Sequence, residues 1–185
     1  MLIFFGLVAL LVARLNQREA TEPLVGKAYV IDGDTISILR DHIRLKGIDA
    51  PELAQTCDGA SKAYPCGQIS RQSLIKLIGG RQVRCVDEGR DKFNRTLATC
   101  FTGDINLNRS MIEAGQAAAY GDYRDVELQA RLKRVGLWAG KFETPQDWRR
   151  DHEQPNETVQ PQQNQAPNLF DRLMEWVIGI LGGIW

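Results

Sequence analysis

Between residues 24 and 48 the chain passes through three strand-forming stretches separated by two tight turns, and this pattern limits the fold more than any other feature. Residues 24–31 are rich in Val, Ile and Tyr. Asp32-Gly33 is a hairpin signal, and residues 35–39 alternate apolar with polar side chains on the return. Arg40-Asp41 supplies the next turn. Residues 42–48 form a third strand, with Ile43 and Leu45 on one face and Arg44 and Lys46 on the other. In an antiparallel meander the start of the second strand lies beside the end of the third. Asp34 and Asp49, fifteen positions apart, therefore converge.

That convergence gathers chemistry. Asp32, Asp34, Asp49 and Glu52 fall within residues 32–52, together with the guanidinium of Arg44. Hard cations favour carboxylate oxygens, and phosphates favour the arginine fork. Two carboxylates side by side repel unless a cation lies between them. Either turn alone would be ordinary turn chemistry; the combination points to metal-assisted chemistry on a phosphate ester.

These residues resemble the staphylococcal nuclease (thermonuclease) family. The shared motifs are Val30-Ile-Asp-Gly-Asp-Thr35, Arg44-Leu-Lys-Gly-Ile-Asp-Ala-Pro-Glu52, Asp91-Lys-Phe-Asn-Arg95, Asn106-Leu-Asn-Arg-Ser-Met-Ile-Glu-Ala-Gly115 and Gly136-Leu-Trp-Ala-Gly140. The resemblance implies an α+β, mainly β fold: a five-stranded OB-type barrel with about three packed helices. It implies calcium-dependent hydrolysis of DNA and RNA with little sequence specificity. By the same resemblance Asp34, Asp49 and the backbone carbonyl of Ala50 are the calcium ligands. Glu52 activates or orients the attacking water, Arg44 and Arg95 hold the phosphate, and Asp32 and Thr35 support the site. Lys92, Tyr120 and Tyr123 are candidate substrate contacts. Phe93 departs from the pattern, since the family often carries Tyr there; one hydroxyl contact is lost, but not the chemistry.

Charge agrees with transient nucleic-acid contact. Residues 24–151 hold 20 Lys and Arg against 17 Asp and Glu, and residues 152–185 hold one Arg against four acidic groups. A mildly basic domain touches a few phosphates and releases product; it does not coat DNA. Arg131, Lys133 and Arg134 read as a solvated helix face.

Cys57, Cys66, Cys85 and Cys100 allow three pairings. A hairpin turning near Lys92 sets position 85 opposite 100, and Cys57 and Cys66 bracket one loop, so 57–66 with 85–100 is expected. Zinc is the rival, but there is no CxxC pair and His42 and His152 lack ligand-like spacing; buried free thiols are the remaining alternative. Two bridges imply an oxidising compartment, on the periplasmic or extracellular side.

The expected organisation is a signal or membrane-anchor segment at 1–20, the nuclease domain at 24–150, a disordered Gln/Pro/Asn-rich linker at 151–168 and an apolar, amphipathic helix at 169–185. The first apolar run is shorter than the roughly 20 residues of a spanning helix. Arg14 and Arg18 follow it and no basic residue precedes it, which by the positive-inside rule opposes export; the cysteines weigh more. Helices are expected at 67–78, with Ile69, Leu74, Ile75, Leu77 and Ile78 apolar, at 105–114, and at 125–137, with Val126, Leu128, Leu132 and Val135 apolar. Trp138 and Trp148 are expected to anchor the core or its edge. The partners implied are DNA or RNA, with membrane association through the termini and a monomeric catalytic domain. The alternatives are an inert OB-fold nucleic-acid-binding module and a membrane-tethered scaffold. Either would leave the joint presence of Asp34, Arg44, Asp49, Glu52 and Arg95 unexplained.

Overall fold

The computed structural model describes Gly6 and residues 22–59 and 62–152. The segments expected at 1–20 and 169–185, and the linker beyond residue 152, lie outside the described residues. Among the described residues no helix is long and apolar enough to cross a membrane.

Five strands close a barrel. β1 (Leu24–Val30), β2 (Thr35–Ile38) and β3 (Asp41–Leu45) form the expected meander, with Thr35 opposite Arg44 and Ile36 opposite Ile43. β4 (Ile48–Asp49), β5 (Cys57–Asp58) and β6 (Ala63–Tyr64) are two-residue strands. β7 (Gln82–Arg90) pairs with β1 on one side and with β8 (Thr96–Thr102) on the other. β3 pairs with β8 in parallel, which joins the two ends of the sheet. β9 (Ile105–Asn106) extends β8, and β10 (Ala118–Ala119) pairs with β4.

Alternation fills the barrel. Every second residue of β8 is buried, and Ile36, Ile38, Ile43, Leu45, Val83 and Ala98 are almost fully inaccessible. Cys85 and Cys100 face each other in register and form a disulfide in this core; Cys57 and Cys66 form the second. Both expected pairings are present.

Among the described residues there are four α-helices where about three were expected: α1 (Cys66–Ile78), α2 (Leu107–Glu113), α3 (Arg124–Leu132) and α4 (Pro145–His152). α1 turns Leu74 and Ile78 inward, beside Gly67 and Ser70, so Ile69 and Ile75 are exposed, contrary to expectation. α3 is shorter than expected. It ends at Leu132, Arg134 adopts a left-handed conformation, and Gly136–Ala139 continues as a 3-10 turn. Its buried side is Val126, Glu127 and Ala130, while Leu128 and Leu132 face outward. Glu127 replaces an apolar contact with a polar one, accepting a hydrogen bond from the Ala119 N–H and pairing with Arg131. Arg131, Lys133 and Arg134 are exposed as expected, and Arg131 lies over the Trp138 ring.

α4 was not expected, and it takes in Asp151 and His152, which the sequence assigned to the linker. Its start is well specified. Thr144 Oγ1 accepts from the Asp147 N–H and donates to the Asp147 carboxylate at 2.6 Å, a reciprocal cap. Pro145 occupies the first helical position, where its missing N–H costs nothing.

Candidate active site

The meander delivers its carboxylates as the sequence implies, and the guanidinium of Arg44 ties them together. Arg44 Nη1 donates to Asp34 Oδ1 at 3.1 Å, and Nη2 donates to Asp49 Oδ1 at 2.6 Å. Asp34 stands just before β2, where its carbonyl accepts from the Leu45 N–H. Its side chain is almost fully buried. Oδ1 also accepts from the Thr35 hydroxyl, and Oδ2 accepts from the Ala50 N–H at 2.8 Å. Asp32 folds the turn by accepting from the Asp34 N–H at 3.0 Å. Asp32 and Thr35 thus both bond to Asp34, the first through its backbone N–H and the second through its carboxylate.

Burial pushes the Asp34 carboxyl up to about 7, with Arg44 pulling against it and Asp32 adding to it. Burial also disfavours the Arg44 charge, but Asp34 and Asp49 outweigh it and hold that guanidinium above its ordinary range. Two carboxylates converge on one cation here.

Two glycines let the surrounding elements close on this cluster. A Cβ on Gly33 would stand 2.0 Å from Ser70 Oγ and 2.7 Å from the Ala50 Cβ. A Cβ on Gly67 would stand 1.8 Å from the Glu52 carbonyl oxygen. The first turn of α1 therefore rests directly on the loop that carries Glu52. Gln55 completes the loop from within. Fully buried, it accepts from the Glu52 N–H and donates to the Glu143 carbonyl, just ahead of α4. Asn108, also fully buried, donates to the Lys46 and Ala98 carbonyls and accepts from the Cys100 N–H. It fastens α2 to the turn between β3 and β4.

Arg149, from α4, is the residue that sequence reasoning missed. Its Nη2 donates to Asp49 Oδ2 at 3.0 Å, and its Nη1 donates to Asp49 Oδ1 at 3.2 Å and to Glu52 Oε1 at 2.6 Å. Burial opposes the charge of Arg149, but Asp49 and Glu52 more than compensate and push its pKa up. The capping sequence Thr144-Pro145-Gln146-Asp147 could have revealed the helix, though not the contact.

Arg95 makes none of these contacts. Its Nε donates to Asp91 Oδ2 at 2.7 Å, and its guanidinium carbon lies 5.4 Å from the centre of the Phe93 ring. It enters β8 two positions ahead of Leu97, the register partner of Arg44. Phe93 is 68% exposed, with Lys92 Nζ over its ring 4.8 Å from the centre, so the turn between β7 and β8 presents an exposed aromatic ring with two cations over it. Tyr120 is also exposed, and its N–H donates to the Gly47 carbonyl beside β4. Tyr123 serves the fold: it packs against the core and its hydroxyl accepts from Asn106.

The donor set suits a hard cation. All four cysteines are in disulfides, which removes soft ligands. Among the described residues no group of three or more His, Cys, Asp or Glu side chains is placed to hold a metal ion. Asp34, Asp49 and the Ala50 carbonyl would therefore bind calcium only with water and substrate oxygens completing its six to eight ligands.

Comparison with known proteins agrees with this geometry. A family model described as "Staphylococcal nuclease homologue" matches residues 42–140. The succinoglycan biosynthesis protein ExoI of Rhizobium meliloti (strain 1021) is 37% identical over 146 residues, covering 75% of this chain and 76% of that protein. An uncharacterized endonuclease of Haemophilus influenzae (strain ATCC 51907 / DSM 11121 / KW20 / Rd) is 33% identical over 133 residues, 65% of this chain and 70% of that protein. The probable staphylococcal-like nuclease CAN2 of Oryza sativa subsp. japonica is 34% identical over 125 residues, 64% of this chain but 32% of the rice protein. With its barrel, its meander-borne carboxylates and these matches together, the chain belongs to the staphylococcal nuclease homologue family.

Proposed function

We propose that this chain is a calcium-dependent nuclease that hydrolyses phosphodiester bonds of DNA or RNA with little sequence specificity. The observation that carries the reading is the fork of Arg44 held between Asp34 and Asp49, with Glu52 on the adjoining loop. A phosphodiester is an anion that repels nucleophiles, and its five-coordinate transition state carries still more charge. Bound between Asp34, Asp49 and the Ala50 carbonyl, calcium would neutralise part of that charge.

The protein's own groups do the rest. Arg44 spends one N–H of each terminal nitrogen on carboxylates. Its remaining donors, without partners among the described residues, would grip phosphate in the planar, two-point manner that lysine cannot copy. Asp91 holds Arg95 by its Nε, which orients both terminal nitrogens for the same purpose. Glu52 takes the proton of the attacking water, and Gln55 fixes its backbone for that role. The exposed ring of Phe93 offers a stacking face to a base, which suits any sequence. The two disulfides support placement in an oxidising compartment, and the apolar ends at 1–20 and 169–185 support a membrane tether there.

The test is digestion of single-stranded DNA and RNA by the full-length protein, with calcium and with excess EGTA. Cleavage in calcium that EGTA abolishes is expected. Full activity in EGTA overturns the metal role. Retention of nucleic acid without cleavage in either condition favours the inert binding module.

A further inference from the structure

Arg149 sits on the very oxygens that the proposed function assigns to a cation and to a catalytic base. Both oxygens of Asp49 accept from it, and Oδ1 also accepts from Arg44, so that carboxylate already faces three N–H donors from two guanidiniums. The contact spans 100 positions of sequence to Asp49 and 97 to Glu52. It is also built. α4 is capped by Thr144 and Asp147, and Gln55 joins the Glu52 loop to the Glu143 carbonyl, so helix and loop are pinned to each other. α4 lies beyond residues 42–140, the part that the family model matches.

Charge decides what this contact does. Asp34, Asp49 and Glu52 face Arg44 and Arg149, which leaves one formal negative charge when all are ionised. Without Arg149 the balance would be two negative charges, the complement of a divalent cation. An arginine and a cation competing for the same carboxylate oxygens repel each other and weaken each other's binding by the same factor.

We propose that Arg149 is a further positioning residue of the active site: a guanidinium that occupies Asp49 in place of the divalent cation, holds Glu52 beside it, and must be displaced for metal to bind. The contact keeps the carboxylates together while no metal is present. Its loss on metal binding frees Glu52 to meet water and loosens α4 from the site. The inference rests on the metal-dependent nuclease reading.

Two measurements on the full-length protein test it. Calcium chloride is titrated calorimetrically into chelator-stripped wild type, Arg149→Gln and Arg150→Gln. The last is an exposed control that pairs, among the described residues, with Asp147 and Asp151. Arg149→Gln should bind calcium at least about fivefold more tightly than wild type, and Arg150→Gln should match wild type. Separately, amide hydrogen exchange in residues 145–152 of the wild type should quicken when calcium saturates the site. Equal or weaker calcium affinity in Arg149→Gln overturns the proposal, while calcium binding to the wild type keeps the metal site standing. Calcium binding to neither protein removes the metal reading and the proposal together. If Arg149→Gln does not fold, the exchange measurement decides alone, and protection of 145–152 unchanged by calcium overturns the proposal.

Discussion

Replacing Gly67 with Ala tests whether the position of the Glu52 loop, and not just its composition, sets activity. The added Cβ would stand 1.8 Å from the Glu52 carbonyl oxygen, 2.7 Å from the Glu52 carbonyl carbon and 3.0 Å from that of Leu53. All three are backbone atoms, so no side chain can rotate aside. Reaching the 3.0 Å floor of real contacts means parting α1 and the loop by about 1.2 Å. The Cys57–Cys66 bridge stops the helix from absorbing that shift alone, because Cys66 is its first residue. Overpacking of this size costs about 1–3 kcal/mol of stability. A misplacement of about 1 Å in a reacting group costs roughly 100-fold in rate. The expected result is a folded protein with a lowered melting temperature and turnover reduced about 100-fold, with KM changed far less. Circular dichroism melts and initial rates on single-stranded DNA in calcium measure both. Wild-type turnover alongside a lowered melting temperature would refute the reasoning, since the loop would then tolerate displacement without loss of chemistry.

Other expectations rest on single contacts. Glu52→Gln and Arg44→Ala should each lower turnover in calcium by about 100- to 1000-fold, the scale of one transition-state donor. Single-turnover rates check this, and near-wild-type rates would remove the assigned role. The disulfides close sequence separations of 9 and 15 residues. On the loop-entropy account each contributes about 2.5–3 kcal/mol, so reducing both should markedly lower the urea midpoint, and coincident melts with and without reductant would contradict it. Asp34 is raised from 3.8 to about 7, so the folded protein holds a proton there that the unfolded chain has lost. Its contribution to stability is therefore full below about pH 4 and fades as pH rises towards 7. In chelator, wild type should lose stability over that window relative to Asp34→Asn, and parallel pH profiles would show that the carboxyl is not shifted.

What the sequence revealed and what it concealed follow the same physical line. Asp34, Arg44 and Asp49 were legible because a meander brings residues together through pairing rules, and Thr35 does lie opposite Arg44. Cys85 and Cys100 were legible for the same reason: they are partners across one hairpin. Helix faces were less so. Leu128 and Leu132 belong to an apolar pattern, yet the helix buries Glu127 in their place because the Ala119 N–H needs an acceptor there. That need arises from β10, and no periodicity within α3 expresses it. Arg95 shows the limit of motif reading. Its position fixes the backbone, but Asp91, four residues earlier, holds its side chain. Arg149 lies furthest from what a sequence can show. Its helix is announced by Thr144-Pro145-Gln146-Asp147, but its partners are set by how α4 docks on a loop nearly a hundred positions away. Local rules specify where a helix starts. Gln55 joins that helix's approach to the Glu52 loop from inside the protein, between the Glu52 N–H and the Glu143 carbonyl. Gln55→Ala should therefore disturb Arg149 and Glu52 together, although it touches neither side chain. A double-mutant cycle between positions 55 and 149 should show coupling on calcium affinity well outside additivity, and simple additivity would mean that α4 finds the site without that link.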